Sequence, residues 1–162
     1  MNSQSKKFEE VTLLNEQNMS QAKEYHITLI FYLDLPDNQI EILKEKFKSF
    51  SFSKFNLTGD KLFVFPNKNN PYLYALGFKD NSKLIELYKR INTITNIKTR
   101  DIFNPHITLL RKEKLPLDFK KSKEKYGDIL PIELEIKSFG LYKSEPAKGM
   151  NSYTPIFIVK LK

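Results

Sequence analysis

The sequence contains no cysteine and no tryptophan, and it has only two histidines. Without cysteine there can be no disulfide, thiolate nucleophile, iron–sulfur cluster or cysteine-based zinc site. Two histidines with no further clustered ligand leave a zinc shell incomplete. No apolar run approaches the roughly 20 residues that cross a bilayer. The opening residues, MNSQSKKFEE, are polar and no apolar segment follows them, so no secretory signal is expected. These absences predict a soluble cytoplasmic protein that binds neither a membrane nor a metal, and nothing in the sequence calls for any other cofactor.

What is present is an aromatic, basic chain. Its 162 residues include 13 Phe and 8 Tyr, and 40% are hydrophobic, which is enough to bury a core in one domain or in two similar halves. Lys and Arg total 27 against 19 Asp and Glu, a formal charge of +8. Such an excess favours anionic partners, nucleic acid or nucleotides above all, although a coding bias toward Lys and Asn would give the same balance.

Residues 1–24 read as a polar leader in which Val11–Leu14 is the sole strand candidate. Residues 25–162 read as one domain. Tyr25–Leu33 is β-branched and aromatic and predicts a strand. Ile40, Leu43, Phe47 and Phe50 recur at helical spacing and predict a helix over 37–50. Phe52–Leu57 and Lys61–Phe65 alternate around Thr58-Gly59-Asp60, which predicts a hairpin. A strand at 72–78, a helix with Ser82 as its N-cap, and a strand at 106–111 follow. Phe119–Tyr126 is a short helix candidate. Ile132–Ile136 is a strand that Phe139–Tyr142 continues, Ser144–Ser152 reads as a loop, and Pro155–Leu161 closes the chain as a strand. Close hairpins interleaved with helices predict an α+β fold rather than a doubly wound parallel sheet.

Each of the two histidines opens the same tetrapeptide: His26-Ile27-Thr28-Leu29 and His106-Ile107-Thr108-Leu109. Residues i and i+2 of a strand share a face. His26 and Thr28 therefore point one way while Ile27 and Leu29 point to the core, and His106 and Thr108 repeat the arrangement. Two such strands, side by side or related by a pseudo-dyad, would face two imidazoles and two hydroxyls into one groove. One imidazole can then accept a proton while the other donates one, and the hydroxyls can hydrogen-bond phosphate oxygens. A lone strand histidine is more often a structural residue satisfied by a carbonyl; a matched pair is not.

On these residues the chain resembles the 2H phosphoesterase superfamily, which is defined by two His-x-Thr motifs. Within it the sequence is most similar to the bacterial and archaeal RNA 2′,3′-cyclic phosphodiesterases, also called 2′-5′ RNA ligases. The resemblance extends through Phe65-Pro66-Asn67, through Phe103 to Arg111, and through Leu141-Tyr142-Lys143-Ser144 with Gly149 and Tyr153-Thr154, so that it spans about residues 24–162. It implies two pseudo-symmetric lobes, each a small antiparallel sheet backed by helices, with the active-site groove between them. The sequence departs from the family in having only about 24 polar residues before the first motif, where a strand and a helix are usual, so the first lobe is expected to be trimmed. It also implies metal-independent hydrolysis of a 2′,3′-cyclic phosphate to the 2′-phosphate by a monomer acting on RNA or nucleotides.

In that scheme His106 activates water and His26 protonates the leaving oxygen, roles that are reversed in some branches, and Thr28 and Thr108 hold the phosphoryl oxygens. Arg111 adds charge. By strand parity it points away from His106, so it reaches the groove only if the strand ends or bulges near Leu110. Tyr153 lines the groove and stacks on a base, whereas Phe65 is expected to pack. The alternative substrates are 2′-5′ oligoadenylate, cyclic signalling nucleotides and ADP-ribose cyclic phosphate. The alternative of another class is a non-catalytic RNA-binding protein.

Overall fold

The computed structural model describes residues 19–21, 25–32, 34–65, 73–96, 103–112, 127, 130–147 and 150–162. The expected strand at Val11–Leu14, the Pro66–Pro71 loop and the Phe119–Tyr126 helix lie outside them. The elements in chain order are β1 (Met19–Gln21), α1 (Asp37–Phe47), β2 (Phe55–Phe65), β3 (Leu73–Phe78), α2 (Ser82–Thr95), β4 (Ile107–Lys112), β5 (Ile132–Ile136), β6 (Ser138–Ala147) and β7 (Met150–Lys160). Five strands form one antiparallel sheet in the order β1-β4-β3-β2-β5, and β6 pairs with β7 in a second sheet. The fold is α+β, as the close hairpins predict.

Helix α1 begins directly after Pro36, whose extended backbone and missing N–H suit a helix entry, and Asp37 in its first turn complements the helix dipole. It buries Leu43 and Phe47. Helix α2 buries Leu84, Leu87, Ile91 and Thr95, and it ends at Asn96 in the left-handed conformation, with φ 52°. Ser82 is its first residue, and Asn81 takes the cap position; the Ser82 amide and hydroxyl both donate to the Asp80 carboxylate instead.

Two apolar clusters result. One lies on a single face of the five-stranded sheet and joins Leu57, Val64, Tyr74, Leu76, Phe78, Ile107, Leu109 and Ile132 to Leu84 of α2. The other gathers Leu43, Phe47, Phe50, Phe52, Leu87, Ile91 and Leu161 against Phe139, Phe157 and Val159 of the second sheet. Because the helices and these clusters occupy one face of the large sheet, the residues of opposite parity are left on the other.

Several element boundaries differ from the sequence reading: β1 falls in the stretch read as a leader, and the helix expected over 37–50 ends at Phe47. The segment at 25–32 is not a full strand: among the described residues it makes one antiparallel bridge, Ile27 to Ile107. Residues 55–65 form one continuous strand rather than a hairpin. Gly59 is buried, with its missing side chain leaving room for Leu76, and the register shifts between Gly59 and Lys61 where a turn was expected. Phe139–Tyr142 does not continue β5 but belongs to β6 in the second sheet. The expected loop at 144–152 is mostly the tip of the β6–β7 hairpin, paired as far as Ala147 and Met150.

Tyr32, at the end of the first extended segment, offers a pH probe of this packing. Burial raises its phenol above the usual 10.0; the nearby Thr95 hydroxyl pulls it back in part and Tyr88 adds to the rise. A raised value means the fold favours the neutral phenol. That contribution is whole below pH 10 and is lost as pH climbs through the raised value. Tyr32→Phe cannot ionise, so its urea midpoint is expected to gain on the wild type as pH rises above about 10. Parallel curves for the two proteins would contradict this.

Candidate active site

Each His-x-Thr motif is placed by simple local rules. Asn104-Pro105 disfavours helix before His106, and Pro105 is buried. The β-branched Ile107 and Thr108 then favour the strand. Ile107 and Leu109 are 5% and 2% exposed and anchor β4 in the core, while Thr108 lies between them on the opposite side. In the first motif Ile27 and Leu29 pack on the same cluster, and His26 and Thr28 are exposed.

The bridge between Ile27 and Ile107 sets the two motifs side by side and antiparallel. Carrying its register one residue each way sets His26 across from Thr108 and Thr28 across from His106. Side chains directly opposite in such a pair have Cβ atoms about 4.5–5.5 Å apart. The two histidines thus lie on a diagonal of a four-residue patch, and the two threonines on the other.

The environments of the two imidazoles differ. His106 is half-buried, and its Nδ1 lies 2.8 Å from the Asn104 carbonyl oxygen. A carbonyl only accepts, so Nδ1–H is the donor and the neutral ring keeps its lone pair on Nε2. Phe63 and Phe65 flank the same ring, with centroids 6.0 and 5.6 Å away. His26 is more exposed and meets the ring of Tyr153 at 4.5 Å, tilted by 60°. Tyr153 stands on β7, so the second sheet reaches the first motif through this contact.

Arg111 is placed by a bulge. Ala75 pairs with Thr108 but Tyr74 pairs with Leu110, so Leu109 is an extra residue in β4; Leu73 then pairs with Arg111. Leu73 and Ala75 share a face of β3, so the backbone register returns position 111 to the face of Thr108. This is the bulge that simple strand parity required. Five of the six residues singled out from the sequence are therefore linked by register or ring contact, and the backbone of the sixth is set on the same face.

Phe63 went unnoticed in the sequence, and Phe65, expected to pack, also meets His106. The available signal was parity: Phe63 and Phe65 alternate with Leu62 and the buried Val64 in β2. Among the described residues, no three His, Asp or Glu side chains come together as a metal would require.

Comparison with known proteins gives a family and a fold. The family model described as LigT like Phosphoesterase matches residues 8–73 and 77–150. An RNA 2′,3′-cyclic phosphodiesterase of Thermotoga maritima is 28% identical over 138 residues, covering 82% of this chain and 70% of that protein. One of the same name from Archaeoglobus fulgidus is 26% identical over 123 residues, covering 74% and 69%. Among solved structures, E. coli LigT in its apo form superposes with a TM-score of 0.76 at 20% identity, covering 99% of this chain and 92% of that one. The same protein complexed with 3′-AMP superposes at 0.71, also at 20% identity, with 97% and 92% covered.

Proposed function

The chain belongs to the LigT-like phosphoesterase family, and on that premise we propose that it hydrolyses the 2′,3′-cyclic phosphate of an RNA end or nucleotide to the 2′-phosphate, without a metal. The observation that best supports the reading is the antiparallel Ile27–Ile107 bridge, whose register, carried one residue each way, pairs each motif's histidine position with the other motif's threonine position. Relatives named RNA 2′,3′-cyclic phosphodiesterase support the substrate class, as does the formal charge of +8.

The proton accounting is as follows. The cyclic phosphate sits over the patch, with the Thr28 and Thr108 hydroxyls donating to its non-bridging oxygens. His106, its Nδ1–H held by Asn104, takes a proton from water at Nε2 as the water oxygen attacks phosphorus. The bond from phosphorus to O3′ breaks, and His26 protonates O3′. The products are a free 3′-hydroxyl and a 2′-phosphate. Each turnover leaves His106 protonated and His26 neutral, and solvent resets both. Arg111 contributes a guanidinium suited to phosphate, and Tyr153 lines the groove beside the acid. In this reading the enzyme works as a monomer in the cytoplasm.

The test is a substrate panel in EDTA: 2′,3′-cyclic AMP, RNA ending in a 2′,3′-cyclic phosphate, 2′-5′ oligoadenylate and a cyclic dinucleotide. Turnover of the first two above the others is expected. Exclusive turnover of the last two would move the substrate to another branch of the superfamily. RNA binding without any product, unchanged in the His26→Ala, His106→Ala double variant, would make the protein a binding module.

A further inference from the structure

The open face of the large sheet carries a second basic feature beyond the four-residue patch. Lys61 pairs with Gly77 across β2 and β3. Gly77 follows Leu76, the partner of Ile107, so continuing the register sets Gly77 next to His106. Lys61, Gly77 and His106 therefore form a row across three strands. Gly77 has no side chain in that row, and the Lys61 stem fills the hollow: a Cβ on Gly77 would stand 2.8 Å from Lys61 Cε and 3.0 Å from Phe63 Cε1. Phe63 in turn is the ring flanking His106. The aliphatic stem of Lys61 and the Phe63 edge thus converge over one glycine, and the Phe63 ring links them to His106.

The Lys61 ammonium has no carboxylate partner among the described residues, although five other lysines do. The adjacent Asp60 is engaged elsewhere, accepting the Lys79 backbone N–H at 2.8 Å. A cation with its stem packed along a hollow, two residues from Phe63 in β2, is positioned for an anion.

We propose that Lys61 holds a second phosphate of the substrate, the phosphodiester on the 5′ side of the terminal nucleotide, which makes an oligoribonucleotide the preferred substrate class. The inference rests on the hydrolase reading above. The reacting phosphate belongs over the line between the first motif and β4, whereas the Lys61 stem lies over β3. That is about one and a half strand spacings away, roughly 7 Å, comparable to the separation of successive phosphates along a stretched single strand. A nucleoside cyclic phosphate has only one phosphate and leaves Lys61 unused. Phe63 and Phe65, whose rings flank His106, offer ring faces and edges for a base.

The experiment compares kcat/KM for 2′,3′-cyclic AMP and for a short oligoribonucleotide ending in a 2′,3′-cyclic phosphate, in wild type, Lys61→Ala, Lys61→Arg and Gly77→Ala. In parallel, binding of an oligoribonucleotide with a 3′-phosphate is measured against salt. Lys61→Ala is expected to lower the oligonucleotide-to-mononucleotide ratio about tenfold and to take about 0.7 off the salt slope of binding. Lys61→Arg restores both. Gly77→Ala, whose added Cβ would meet the Lys61 stem and the Phe63 edge, reproduces part of the loss. An unchanged ratio and slope in Lys61→Ala, or equal loss on both substrates, would overturn the proposal. If the wild type hydrolyses neither substrate, the hydrolase reading fails, and the binding arm alone decides whether Lys61 grips a phosphate.

Discussion

Replacing His106 by alanine is expected to lower turnover of a 2′,3′-cyclic phosphate by about two to four orders of magnitude, the usual contribution of a positioned general base. His106 is half-buried and held by one backbone bond and two phenylalanine rings. It lies outside the apolar clusters, so its removal leaves the fold intact by circular dichroism and by urea midpoint. His26→Ala is expected to lose a similar factor, because the leaving O3′ would depart without a proton. The two losses should not multiply. Once either imidazole is gone the concerted transfer is broken, and the double variant should fall little below the poorer single one. Near-wild-type rates in either folded single variant would rule out paired acid–base chemistry.

The second large effect concerns stability. Phe47 closes helix α1 onto the second sheet: its ring lies 5.5 Å from Phe139, 5.9 Å from Phe157 and 5.7 Å from Phe50, with 6% of the residue exposed. Phe47→Ala is expected to cost about 3–5 kcal/mol in urea unfolding, combining lost transfer energy with a cavity among rings that cannot close over it. Phe47→Leu keeps most of the volume and should cost far less. The β6–β7 hairpin carries Tyr153 to His26. Loosening its base through Phe47 is therefore expected to reduce activity as well, at temperatures where the variant is still folded. A loss below about 1 kcal/mol would mean that the cluster repacks and that Phe47 does not join the helix to this sheet.

The patch was legible because its signal was local. Two identical tetrapeptides with period-2 alternation fix which side chains share a face, whatever the rest of the fold does. The bulge that brings position 111 to that face was legible only as a condition, since one extra residue in β4 depends on how β3 pairs with it. The single bridge at Ile27 was not legible: the segment has strong strand composition, but composition does not tell how many partners a strand finds. Thr58-Gly59-Asp60 reads as a turn, yet burial of Gly59 beneath Leu76 makes it a bend within one long strand. Pro146 and Gly149 read as a loop, yet pairing across β6 and β7 carries both strands almost to the tip. The contacts of His106 with Phe63 and of Lys61 with Gly77 come from register between strands distant in sequence, which no local pattern records.

The most direct test is to incubate the purified protein in EDTA with an RNA ending in a 2′,3′-cyclic phosphate and to resolve the 2′- and 3′-phosphate products. The account predicts a 2′-phosphate end from the wild type and none from His26→Ala or His106→Ala. A 3′-phosphate product, activity that appears only on adding a metal, or undiminished activity in either histidine variant would contradict it.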